Sequence, residues 1–271
     1  TSAVLSLTPA TWNLYLHAWA DEVPAGFEGP AWARALCPRG DGLGLDGLFL
    51  LQRPKAGQPW IIDHWEPDGA HTFCSNGTRA AAALPGPGDP EQLQVRSSGE
   101  AVALRREGER HVALRLPEGE GYGLRPLQLD LEAPHVYGWT GTPHLVLEVE
   151  DTETLDLPIL APPLRHHPAL PEGANVSFVQ VLEPGLARIR SWERGVEGET
   201  LCCGQGCCVA GAWLARRTGH AAWRFRPRGR DEVHVSARPG PEGSWHDLWL
   251  GGPIRVLGRL EPGPDLLREL P

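Results

Sequence analysis

Two stretches of this chain read alike, and their likeness constrains the fold more than any other feature. Cys74-Ser75-Asn76-Gly77 runs into Thr78-Arg79-Ala80-Ala81-Ala82-Ala83, and Cys203-Gly204-Gln205-Gly206 runs into Cys207-Cys208-Val209-Ala210-Gly211-Ala212. Each reads as cysteine, small residue, side-chain amide, glycine, then a helix of mainly small residues. Their shared context points to an internal duplication with one notable helix and one cysteine per half.

Short strands surround both helices, with glycine and proline between them. In the first half, strands are expected at Ala3–Thr8, Asn13–Trp19, Gly47–Leu51, Trp60–Trp65, Gln92–Arg96, Ala101–Arg106 and His111–Leu116. A short helix is expected at Pro30–Leu36 and the small-residue helix at Thr78–Leu84, stopped by Pro85-Gly86-Pro87-Gly88. Pro117–Pro126, rich in glycine and charge, reads as a linker. Beyond it come strands at Leu127–Leu131, His144–Glu150, Val176–Leu182, Ala187–Trp192, Ala222–Arg226, Glu232–Ala237, Trp245–Leu250 and Ile254–Leu260. Leu155–Leu164 reads as a helix shortened by its prolines, and Gly206–Thr218 as a helix with Gly219 as its C′ residue. The halves are therefore placed at 1–124 and 125–255, with 256–271 returning to the first.

Composition removes several function classes. The formal charge of −9 comes without a basic patch, which argues against tight binding to nucleic acid. No apolar run reaches the ~18 residues of a membrane helix. No secretory signal is visible, so the expectation is a cytoplasmic protein with no membrane partner; a homodimer is compatible. Without an oxidising compartment, the six cysteines are a poor disulfide framework. Cys203 and Cys207 lack the matching second pair of a zinc site, so no metal is expected. Cys37, Cys202, Cys207 and Cys208 read as small buried hydrophobes.

A helix N-terminus carries free N–H groups and positive partial charge, so it favours a carboxylate and a thiolate. Two such cysteines could act on one α-carbon: one takes a proton from one face, the other returns a proton to the opposite face, and the stereocentre inverts. The amides of Asn76 and Gln205 could orient the substrate.

At this point the motifs resemble those of the diaminopimelate epimerase family, within the wider group of cofactor-independent amino-acid racemases. Arg39-Gly40-Asp41-Gly42-Leu43-Gly44-Leu45-Asp46-Gly47 is similar to its "R..GIGADG", and Gly141-Thr142-Pro143-His144 to its "GNPH". Asn175-Val176-Ser177-Phe178-Val179-Gln180 resembles "NV.FVQ", and Trp192-Glu193-Arg194-Gly195 through Glu199-Thr200 and Cys203-Gly204 resembles "ERG.GET.ACGTG". Asp68-Gly69 followed by Cys74-Ser75-Asn76-Gly77-Thr78-Arg79 resembles the first cysteine motif.

The resemblance implies an α+β fold of two pseudo-symmetric halves, each a curved mixed sheet around a central helix. It implies Cys74 and Cys203 as acid/base residues, with His144 supporting the first and Glu193 the second. It implies substrate contacts from Asn13, Glu66, Ser75, Asn76, Thr142, Asn175, Arg194, Gly204 and Gln205. No cofactor is expected, since the resemblance is to enzymes that work without one. The implied reaction is epimerisation of LL-/meso-diaminopimelate in lysine biosynthesis.

The chain departs from the family pattern in its substrate grip. Of "GxGND" only Asn13 remains in Ala10-Thr11-Trp12-Asn13-Leu14; "NADG" is Glu66-Pro67-Asp68-Gly69. The stretch before Cys74 is one residue short, Thr142 replaces asparagine, Gln205 replaces threonine, and Gly195–Glu199 holds an extra residue. These changes leave a second reading open, a racemase of another amino acid, one with a basic side chain facing Glu66. A third reading, from another class, is a non-catalytic binding protein or a thiol or metal protein built on Cys202–Cys208.

Overall fold

The computed structural model describes residues 5–10, 13–55, 58–84, 92–108, 110–229 and 231–261. The expected breaker at Pro85–Gly88, the start of the first strand, Thr11, Trp12 and the last ten residues of the returning tail lie outside them. The described residues up to Leu114, with those from Pro253 onward, form one compact unit; Arg115–Gly252 form a second. That division falls ahead of the 124/125 boundary read from the sequence.

The first unit is a mixed sheet with two helices. β1 (Leu5–Ala10) pairs antiparallel with β2 (Asn13–Trp19). Helix α1 (Gly29–Leu36) follows, with Pro30 in its first turn, where a missing N–H costs nothing. Its buried face, Trp32, Ala33 and Leu36, packs with Leu5, Leu16 and Leu48. β3 (Gly47–Gln52) then runs parallel to β2 and antiparallel to β4 (Trp60–Trp65). Helix α2 (Ser75–Ala81) packs on β1, β2 and β3. β5 (Gln92–Ser97) lies parallel to β4 and antiparallel to β6 (Glu100–Gly108), and β7 (His111–Arg115) ends at the unit boundary. Gly258–Leu260 returns to pair with β1, Leu5 opposite Leu260.

The second unit repeats that series. β8 (Gly123–Arg125) pairs antiparallel with β9 (His135–Trp139), and β9 with β10 (Pro143–Glu148). Helix α3 (Leu157–Arg165) precedes β11 (Asn175–Glu183), which is parallel to β10 and antiparallel to β12 (Leu186–Glu193). After β13 (Gly198–Thr200) comes helix α4 (Gly204–Thr218), then β14 (Ala222–Arg226), parallel to β12. β15 (Val233–Pro239) and β16 (Trp245–Pro253) complete the run by antiparallel pairing. Antiparallel, helix, parallel, antiparallel, helix, parallel, antiparallel: both units follow this sequence, the second with β8 added before it and β13 inserted ahead of α4, and with α3 in the place of α1 and α4 in the place of α2. The fold class is α+β, two repeated halves.

Several expectations are corrected. The presumed linker holds β8, whose three residues are too few to show alternation amid glycine and charge. Leu127–Leu131 is not a strand, whereas His135–Trp139 is. Helix α3, expected at Leu155–Leu164, spans Leu157–Arg165 and runs through Pro162 and Pro163, each of which removes one internal N–H donor without ending it.

The two helices start earlier than expected, at Ser75 and Gly204. The cysteines are their N-cap residues, in extended conformation (φ −124° and −98°), so the amide and glycine sit inside the first turn. Glycine is required there by close packing. A Cβ on Gly77 would lie 2.1 Å from the Phe49 ring, and one on Gly206 would lie 2.7 Å from Ser177 Oγ. Gly219 closes α4 in the left-handed conformation (φ 78°). Among the described residues, no helix is long and apolar enough to cross a membrane.

Candidate active site

In the first unit Cys74 caps α2 and receives a neighbour that sequence reasoning missed. Tyr15 Oη lies 3.3 Å from Cys74 Sγ. Tyr15 projects from β2, and burial, then the nearby cysteine, push its phenol well above the usual tyrosine range. It stays protonated, so it must be the donor whenever the sulfur is a thiolate. A hydrogen-bonded chain of side chains extends the cluster. Arg79, fully buried, donates to Asn76 Oδ1 (3.1 Å), and Asn76 Nδ2 donates to Asn13 Oδ1 (3.0 Å). The Asn13 amide in turn reaches the half-buried Asp46 carboxylate, which also accepts from Leu14 N–H at 2.7 Å. Because arginine can only donate, this chain fixes the orientation of both amides. Ser75, buried in the first turn, adds a small residue beside Asn76. Glu66 sits just beyond β4 and accepts from Thr72 Oγ1 at 2.9 Å.

In the second unit Cys203 caps α4 and is buried. Burial pushes its thiol well above the ordinary range, and Glu193 adds to the rise as a neighbouring charge and hydrogen-bond acceptor; only the Gly206 N–H pulls the other way. This corrects the expectation of a lowered value. A helix terminus offers about half a charge, which burial and a full carboxylate outweigh. Cys203 therefore rests as a thiol, its proton directed at Glu193. Thr200, within the quoted motif but not singled out, also donates to Glu193. The neighbouring Glu199 is structural: its carboxylate takes two hydrogen bonds from the buried Arg190, at 2.7 and 2.8 Å.

His144, Thr142 and Gln205 form a polar chain. Gln205 Nε2 donates to the Thr140 carbonyl (2.9 Å), which can only accept, so Oε1 turns to Thr142. The Thr142 hydroxyl donates to that oxygen at 3.4 Å and lies 3.0 Å from His144 Nε2. With its one proton committed, the hydroxyl accepts from Nε2–H. Nδ1 of His144, buried and without a partner among the described residues, is then a bare acceptor, which costs less than an orphaned N–H. Burial and Arg194 lower His144 to about 3, so it is neutral. Asn175 donates to Pro143 O (3.1 Å) and accepts from Arg194 N–H (2.9 Å), while the Arg194 guanidinium reaches Glu172 O (3.1 Å). Gly204 opens the helix beside Gln205. Among the described residues no cluster of three or more metal-ligating side chains occurs.

A diaminopimelate epimerase family model matches residues 136–232. The diaminopimelate epimerase of Rhodospirillum centenum is 36% identical over 217 residues, covering 70% of this chain and 71% of that protein. That of Synechococcus sp. strain JA-3-3Ab is 33% identical over 251 residues, covering 83% and 85%. The chain belongs to the diaminopimelate epimerase family. Its matched segment contains Thr142, His144, Asn175, Glu193, Arg194, Cys203, Gly204 and Gln205, every member of the second cluster named in the sequence. The fold extends beyond the diaminopimelate epimerase family. A Bacillus anthracis phenazine biosynthesis protein of the PhzF family superposes with a TM-score of 0.68 at 14% identity, over 97% of this chain and 99% of that one. A hydroxyproline epimerase from Agrobacterium vitis, with trans-4-hydroxy-L-proline bound, gives 0.64 at 16%, over 97% and 93%.

Proposed function

We propose that this protein inverts the α-carbon of an amino acid without a cofactor, with LL-/meso-diaminopimelate as substrate. The observation that carries the reading is the repeated placement of a cysteine at the N-cap of the equivalent helix in both units, one of them with a carboxylate poised on its proton. Inversion needs one group to remove the α-proton and another to deliver a proton to the opposite face. Cys203, a thiol at rest, is the donor; Cys74, with a phenol ready to donate to its sulfur, is the base. After one turnover the roles are exchanged, and the same groups run the reverse reaction. Glu193 accepts the Cys203 proton when that sulfur acts as base, and His144, neutral and buried, holds Thr142 and through it Gln205 at the start of α4. Main-chain N–H groups at the start of α4, from Gly204 and Gln205, meet the substrate carboxylate. Arg194 and Asn175 hold the distal carboxylate, and Asn13, Ser75 and Asn76 shape the pocket around the first cysteine.

A second reading, a racemase of a basic amino acid, is favoured by one observation: Thr142 and Gln205, which depart from the family motifs, bond to each other, and Thr142 bonds to His144. One experiment addresses both. The protein is incubated in deuterium oxide with LL-diaminopimelate, L-lysine, L-ornithine or L-histidine, and α-proton exchange and inversion are followed. Exchange and inversion confined to diaminopimelate, with inversion abolished by Cys74→Ser and by Cys203→Ser, is the expected result. Exchange of lysine, ornithine or histidine in its place would establish the second reading, and inversion surviving loss of either cysteine would remove the mechanism.

A further inference from the structure

The repeat can be read residue by residue from strand register. In the first unit Tyr15 pairs with Gly47 and Leu48 with Trp65; in the second His144 pairs with Asn175 and Val176 with Trp192. Tyr15 thus stands where His144 stands, Gly47 where Asn175 stands, and Trp65 where Trp192 stands. Neighbouring contacts agree. Asn13 and Asn76 are hydrogen-bonded in one unit, as are Thr142 and Gln205, at the same offsets from Tyr15 and Cys74 as from His144 and Cys203, in the other. Phe49 lies under Gly77 and Ser177 under Gly206, each the third residue of its strand.

One step further along the fourth strand of each series, the counterpart of Glu193 is Glu66. Both follow a tryptophan, and both accept a threonine hydroxyl: Thr200 on Glu193, and Thr72 on Glu66 at 2.9 Å. Both threonines lie just ahead of the capping cysteine. Glu66 also acts electrostatically on the Tyr15 phenol, whose oxygen is 3.3 Å from Cys74 Sγ.

We propose that Glu66 is the proton-holding partner of Cys74, as Glu193 is of Cys203, so that each sulfur of the pair works against a carboxylate of its own unit. The inference rests on the two-cysteine reading above and assigns Glu66 to the thiol in place of the substrate's side chain. The step balances as follows. The Cys74 S–H bond breaks and its proton passes to a Glu66 oxygen, leaving a thiolate. The thiolate takes the substrate α-proton, and the carbanion takes the Cys203 proton. Glu66 then loses its proton to solvent and Cys203 regains one, with no net consumption.

The test uses the full chain with Glu66→Gln and Glu66→Asp. Iodoacetamide alkylation of each cysteine is followed against pH by peptide mass, beside kcat and KM in both directions. Glu66→Gln should move the alkylation profile of Cys74 to lower pH, because removing a neighbouring negative charge favours the thiolate, and leave that of Cys203 in place. It should lower kcat about a hundredfold, the scale of a lost acid/base partner, with KM held within a few-fold, and Glu66→Asp should recover part of the loss. An unmoved Cys74 profile, or a raised KM with kcat kept, overturns the proposal; the latter would make Glu66 a substrate contact. Should the wild-type protein epimerise no amino acid tested, the functional reading fails, while the alkylation profiles still decide the pairing of Glu66 with Cys74.

Discussion

The phenolic oxygen of Tyr15 lies 3.3 Å from the sulfur of Cys74, and burial keeps that phenol protonated. A hydroxyl that cannot ionise is a fixed donor to a thiolate. Tyr15→Phe keeps the ring in its packing against Phe49, with centroids 5.3 Å apart, and deletes only the donor. Hydrogen bonds to charged groups are worth about 1.5–3 kcal/mol. The variant should fold as the parent does and alkylate Cys74 about tenfold more slowly at neutral pH. An unchanged rate would show that the phenol does not support the thiolate.

Glu193→Gln makes a prediction with two opposite signs. The carboxylate raises the Cys203 thiol by its charge and by accepting its hydrogen bond. Its removal should bring thiolate absorbance of Cys203 in at lower pH, while kcat falls about a hundredfold because the thiol has lost its proton acceptor. A thiol that becomes easier to ionise in a slower enzyme separates this role from a structural one. If ionisation and turnover fall together, Glu193 is holding the fold rather than the proton.

Thr142→Val removes the hydroxyl between Gln205 and His144 at nearly constant volume. Nitrogen chemical shifts of ring-labelled histidine, assigned with His144→Asn, should show Nε2 protonated and Nδ1 bare in the parent and a mixture in the variant. Losing one buried hydrogen-bond partner costs about 1–3 kcal/mol, so kcat should fall about tenfold or more. Thr142→Ser should restore both readouts. A protonated Nδ1 in the parent would reverse the chain of donors derived for this unit.

Acid should destabilise the protein well before its carboxylates titrate. Burial holds His17 at about 4, His64 at about 3 and His144 at about 3. Unfolded, each titrates near ~6.5. Below that value the unfolded chain binds protons that the folded chain refuses, so stability is full above it and is lost as pH falls toward ~4. Each histidine contributes a slope of up to about 1.4 kcal/mol per pH unit. Urea midpoints measured from about pH 7.5 to about pH 5 should fall steeply below about pH 6.5. A flat profile would mean that these imidazoles are not buried neutral.

The strand β2 and the strand β4 were legible to the residue, because apolar residues at short period bounded by breakers leave little choice. So were the duplication and the place of one cysteine at the start of a helix in each half, since these are matters of residue type and order along the chain. Other features were not. Tyr15 looks like any aromatic residue on a buried strand until parallel pairing with β3 and packing beneath α2 bring its hydroxyl to Cys74. The lowered thiol value inferred from a helix N-terminus failed at Cys203, because burial and a carboxylate brought in from β12 dominate a partial dipole charge. Thr142 and Gln205, separate departures from a motif in sequence, are one hydrogen-bonded pair in space. Sequence by itself determined which chemical groups the protein owns and the order in which strands and helices recur. Tertiary structure alone decided which groups share a proton and which are denied water, because hydrogen bonds and desolvation act over a few ångströms between residues that the chain places far apart.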